Sequence, residues 1–248
     1  MSFQLVFSAF NDLSETLVAS LASALNASKI PCVLWGHYLL NVHGAPSIIG
    51  VFCHSESLIV NRYNCCSALP GLQPCPSPTT CPTSSQERRT PPPAFHVHIN
   101  ALEITIALYL QSETLWFLPL LDNSLVSLDQ SQLPSYFALA SNQDLLPPKR
   151  PGRGSGVFKY RKRPVVVPKS HVLLEAYLRL YARDYGRPVG ALAMAMIGYM
   201  EEYVDDDGLL DASQLPEPLK TLYTKLHEGK KPVRQWTKEL KHSLQIPE

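Results

Sequence analysis

Aspartate is missing between Asn41 and Pro91, and the first acid after Asn41 is Glu56. That absence excludes from this stretch the paired aspartates that usually hold two catalytic magnesium ions on one strand face. Long apolar runs are missing too. None approaches about 18 residues, so no segment reads as a membrane-spanning helix. The opening Met-Ser-Phe-Gln-Leu-Val-Phe carries no basic leader and no clear cleavage site, and the expectation is an intracellular, cytoplasmic chain with no membrane partner. Surplus charge is equally scarce: 22 Lys and Arg face 21 Asp and Glu, a formal +1. A nonspecific nucleic-acid coat is disfavoured on that balance, although local basic patches stay open. The six cysteines, at 32, 53, 65, 66, 75 and 81, lack the repeated two-to-four-residue spacing of zinc sites. Cys32 is expected as a small buried hydrophobe, and Cys65, Cys66, Cys75 and Cys81 as free loop thiols.

With 45% hydrophobic residues in 248, the chain has enough apolar surface for one sizeable core or two small ones. Leu13, Leu17, Leu21 and Leu25 recur every four residues and predict an amphipathic helix ending near Asn26. Val33, Leu34 and Trp35, bounded by Pro31 and Gly36, read as a buried strand. A short helix is expected from His37 to Val42, closed by Gly44 and Pro46. Ser47 to Phe52 reads as a second strand.

This succession, with Leu34-Trp35-Gly36 ahead of Gly44-Ala-Pro46, resembles the core of the polymerase-beta-like nucleotidyltransferases, in particular a group of fungal proteins. The resemblance covers about residues 13 to 120. It implies an α/β (α+β) nucleotidyltransferase-like fold, a short mixed sheet with flanking helices plus a C-terminal helical lobe. It also implies that the Gly36 turn lets backbone amides approach a nucleotide triphosphate, with His37 where the superfamily has a small residue. The metal would be magnesium, but the Asp-x-Asp pair is absent, and Glu103 is the only candidate carboxylate on a later strand. Three readings stay open: a pseudoenzyme that still binds a nucleotide, a transferase with unconventional carboxylates, or an active metal-dependent enzyme whose natural sequence differs over 53–68. A protein-interaction scaffold without ligand is the alternative from another class.

Residues 70–93 are proline-rich and are expected as a long surface loop, in which Arg88 and Arg89 read as solvated. Phe95, Val97 and Ile99 alternate with His96, His98 and Asn100, and Ile104, Ile106 and Leu108 repeat the alternation, so a hairpin is predicted. His96 and His98 share one face of the first strand. Without a third ligand nearby in sequence, they read as polar-face residues. Trp116-Phe-Leu suggests a further extended piece.

Residues 141–168 form a basic linker between an α/β domain (1–140) and a helical lobe (169–248). Lys149, Arg150, Arg153, Lys159, Arg161, Lys162 and Arg163 could attract a nucleotide or a phosphorylated small molecule, with Phe158 and Tyr160 as stacking faces and Gly152 to Gly156 as a phosphate wrap. The candidate ligand site is therefore Gly36, His37, Arg150, Arg153, Lys159 and Arg161. In the helical lobe, Val172 to Tyr181 make one apolar stripe, and a largely apolar helix from Pro188 to Val204 is expected at the centre. Asp205-Asp-Asp-Gly departs from the calcium-loop pattern and reads as a solvated turn, with weak divalent-ion binding or contact with the basic 149–163 segment as the alternatives. Two further helices are predicted near 216–228 and 232–245.

Overall fold

The computed structural model describes residues 10–46, 51–54, 72–75, 80–81, 90–99, 105–126, 133–159 and 163–246. Glu103, Arg161 and Tyr160 lie outside them. The first helix, α1 (Phe10–Ala27), buries Val18, Leu21 and Leu25 completely, as its four-residue leucine period requires. After it come β1 (Val33–Trp35), buried throughout, and α2 (His37–Val42), almost wholly buried. Gly36 joins them at φ 81°, a backbone conformation that a side chain would strain.

β2 (Val51–His54) returns antiparallel to β1, with Trp35 opposite Phe52. The predicted hairpin is present as β4 (Phe95–Ile99) and β5 (Thr105–Tyr109), paired from Phe95–Leu108 to His98–Thr105. β2 lies parallel to β5, and the five-stranded mixed sheet runs β1-β2-β5-β4-β3. Its last strand, β3 (Leu72–Pro74), corrects the sequence reading of 70–93 as loop alone. β3 forms at the edge of the sheet, where a proline's missing N–H costs no central ladder bond.

The extended piece expected at Trp116 is not extended. A short helix, α3 (Gln111–Thr114), is followed by turns wrapped around the buried Gln111 side chain. Its amide nitrogen donates to the Pro119 carbonyl at 2.8 Å, and its oxygen accepts from the Leu121 N–H at 2.9 Å. That local network outcompetes a strand.

The basic segment 141–168 folds onto the rest of the molecule. β6 (Phe137–Leu139) pairs with β7 (Val166–Pro168), and the Phe158 N–H donates to the Ala140 carbonyl. One hydrophobic core runs through residues of 1–140, of 141–168 and of 169–248 alike.

The helical part comprises α4 (Ser170–Arg183), α5 (Pro188–Met200), α6 (Leu219–His227) and α7 (Val233–Ser243). α4, rather than the more apolar α5, is the central helix. Tyr177 meets Trp35 of β1 at a 5.6 Å ring separation, while Tyr181 stacks on Trp236 of α7 at 5.8 Å. α5 packs one side against α4 and leaves Ala191, Ala195, Gly198 and Tyr199 exposed, so its high apolar content reflects small residues and not all-round burial. No helix among the described residues is long and apolar enough to cross a membrane.

Candidate metal centre

β4 carries His96 and His98 two residues apart, and alternation along a strand puts both on one face. β3 extends that face. Gln73 stands opposite His98, and beyond the strand the Cys75 N–H donates to the His96 carbonyl at 3.4 Å. Cys75 therefore continues the ladder opposite His96, on the side its ring occupies, where directly opposed side chains start about 5 Å apart. The chain then returns Cys81 to the same spot, its Sγ 3.6 Å from His98 Nε2.

One ligand atom from each of Cys75, Cys81, His96 and His98 lies within 4.8 Å of all the others. The two imidazoles meet edge to face at 5.3 Å. His96 is buried, while Cys75, Cys81 and His98 are partly exposed. For comparison, a tetrahedral ion about 2.3 Å from sulfur and about 2.05 Å from nitrogen separates those two atoms by about 3.6 Å. The Cys81–His98 edge already has that length. Full closure shortens no edge by more than about 1.5 Å, within the reach of side-chain rotation.

The group can thus hold a metal ion. Its donors also decide which kind. Magnesium, the ion the family resemblance implied, takes six hard oxygen ligands in near-ideal octahedral geometry, and two thiols with two imidazoles are the wrong chemistry for it. Neither Cys75 nor Cys81 is in a disulfide, as the sequence reading has it, but the reading of the histidines as lacking a third ligand is corrected: the fold sets both thiols beside them. The signal was concealed because the ligands converge through strand register across some twenty residues, not through a local Cys-x-x-Cys turn. Cys32 is buried, as expected.

The residues expected to bind a ligand occupy different places. Gly36 and His37 border a cleft of about 40 Å³ whose other walls include Trp35, Tyr109, Tyr177 and Met196. Burial lowers the His37 pKa below the ordinary histidine value and so favours the neutral ring. Arg150 and Arg153 lie beside the C-terminal end of α2. There both bind Asp207, through Arg150 Nη2 at 2.7 Å and Arg153 Nε at 2.8 Å. Those contacts hold the Asp207 carboxyl below its ordinary pKa, chiefly through the hydrogen bond from Arg153. Asp207 thus meets the basic segment, an alternative to the solvated turn that the sequence favoured.

The glycine-rich stretch spends the amides of Gly154 and Gly156 internally. The Gly154 N–H donates to the Gly44 carbonyl at 2.7 Å, and the Gly156 N–H to the Asn41 carbonyl at 2.9 Å. Phe158 is buried edge-on against Tyr38 and offers no open stacking face. Lys159 is exposed. His43, at the end of α2, is buried, and its Nε2 donates to the Pro168 carbonyl at 2.9 Å. Desolvation pushes its pKa down to about 4.

Comparison with protein-family models finds no match, and comparison with curated proteins and with solved structures finds none either.

Proposed function

We propose that this chain is a zinc-binding α+β protein in which a Cys₂His₂ site fastens the 75–96 segment to the edge of the sheet. One observation carries the reading: four donors of the zinc type, drawn from β4, the end of β3 and the following loop, converge within 4.8 Å. Zinc is the favoured ion because it is borderline-soft and accepts tetrahedral S₂N₂ coordination without geometric penalty. A site with four protein ligands leaves no open position for substrate, so the metal's role is structural rather than catalytic.

Metal content of the purified chain tests this. One zinc per chain is expected, and cobalt substitution should give the thiolate-to-metal charge-transfer band of a tetrahedral site. Cys75→Ser and His98→Ala should each weaken binding markedly. Because zinc binds the folded state, free metal at 100 times its Kd should stabilise the protein by about 2.7 kcal/mol. Absence of the charge-transfer band at excess cobalt would overturn the proposal.

A second reading concerns ancestry and ligand: a nucleotidyltransferase-like protein, without its carboxylate pair, that takes a nucleotide or phosphorylated molecule near Gly36. The succession α1, β1, Gly36 turn, α2, β2 supports it, as does the cleft beside that turn. β2 reads Val-Phe-Cys-His and carries no carboxylate, which favours binding over turnover. A thermal-shift panel of nucleoside triphosphates with magnesium or manganese is expected to raise Tm, and no shift at millimolar ligand would sink this reading.

A further inference from the structure

We propose that Cys75 and Cys81 form a peroxide-sensitive pair whose oxidation to a disulfide discharges the metal. The inference rests on the zinc reading for its consequence, but the pairing of the two sulfurs stands on geometry alone. Both cysteines are partly exposed, and their sulfurs lie within 4.8 Å of one another. Closing that gap to a bond of about 2.05 Å requires a movement of under 3 Å, on chain that runs between them for only five residues. The other two ligands stand on β4 and are fixed by strand pairing on both sides. Movement is therefore confined to the cysteine side of the site.

The chemistry balances with no further reactant than solvent protons. One thiol sulfur attacks the peroxide O–O bond, forming a sulfenic acid and releasing one water. The second sulfur then displaces the sulfenic oxygen, which leaves as another water, and the S–S bond forms. For the metal-bound thiolates the balance is two thiolates, one hydrogen peroxide and two protons from solvent to one disulfide and two waters. The metal keeps its oxidation state. It loses two of its four donors and is left with two neutral imidazoles, a set that binds zinc far more weakly.

The consequence reaches the cleft beside Gly36. Thr90 and Pro91 form part of its wall, and both belong to the segment held between Cys81 and His96. Release of the metal cuts the link from Cys81 to the histidines of β4 and leaves that end tied through Cys75 alone, so the oxidation state of two thiols would govern how firmly the wall is held.

The test uses the full-length chain carrying Cys65→Ser and Cys66→Ser, because all four cysteines from 65 to 81 fall in one tryptic fragment between Arg62 and Arg88. The zinc-loaded protein is treated with equimolar hydrogen peroxide. A chromogenic chelator follows the metal, and peptide mass mapping follows the thiols. One zinc released per disulfide formed, reversed by dithiothreitol plus zinc, is the expected result. Hydrogen exchange at 90–99 should rise in the oxidised form. Retained zinc with intact thiols, under conditions that oxidise free cysteine, would overturn the switch and leave the zinc reading standing. If the protein holds no zinc, that reading fails, and peroxide treatment of the same chain still decides the pair: a Cys75–Cys81 disulfide supports it and its absence refutes it.

Discussion

Single residues show most directly where close approach and burial set limits. Gly154 lies against α2 so tightly that a Cβ there would come within 2.3 Å of the Asn41 carbonyl oxygen, a fixed backbone atom. Gly154→Ala should therefore cost about 2 to 3 kcal/mol, read as a fall in the urea midpoint. An unchanged midpoint would mean that the segment is free to move off α2. His43 predicts a pH dependence. Its folded pKa of about 4 lies below the ordinary 6.5, so the unfolded chain takes up the proton first. Stability is full above pH 6.5, falls by up to about 1.4 kcal/mol per pH unit as pH drops towards 4, and then levels off. His171, lowered by burial and by Lys169 against the pull of Asp211, adds to the loss in the same window. Urea unfolding of Cys75→Ser with and without His43→Gln, from pH 7 to pH 4.5, isolates the His43 share from metal-linked protons. Equal losses in both proteins would remove His43 as the source.

Among the elements, those with a strong internal period were legible before the fold was known. The four-residue leucine repeat of α1 names a face that the structure buries at Leu21 and Leu25. The alternation of β4 and β5 names one that it buries at Val97, Ile106 and Leu108, although His96, Ala107 and Tyr109 on the opposite face are buried as well. The order of burial among helices was not legible. α5 is the more apolar, but much of that is alanine and glycine, which pack without demanding a central position. α4 supplies the long side chains that reach both the sheet and α7. The α6–α7 junction offers a sharp test. Trp236 is 1% exposed, and its indole N–H donates to the Leu222 carbonyl at 2.8 Å. Trp236→Ala should destabilise by about 3 to 5 kcal/mol in thermal or urea unfolding, through the cavity and the orphaned carbonyl together. A loss below 1 kcal/mol would mean that the two helices collapse onto the gap. The metal ligands show the opposite limit of sequence reading. His96 and His98 announce a shared face, but Cys75 joins them only through the pairing of β3 with β4, and β3 hides among prolines.

For the whole molecule, the charge arrangement and the strand order matter most. Asp207 holds Arg150 and Arg153 together, 54 to 57 residues away along the chain, and ties the helical part to the segment that runs over α2. Asp207→Asn should leave both guanidiniums without their carboxylate and strengthen retention on a phosphate resin at low salt relative to the parent chain. Unchanged retention would show that other partners take them over. The strand order has a kinetic side. β2 pairs with β5 across about 55 residues of chain, whereas β3, β4 and β5 pair with nearer neighbours. If the β3–β4–β5 unit forms first, with its metal, the loop left to close before β2 docks shrinks to about 18 residues. The difference is about 1 kcal/mol of closure entropy, or a factor of about five in rate. Zinc would then speed the assembly of a sheet half of which it never touches, and refolding in a chelator should lag by that factor.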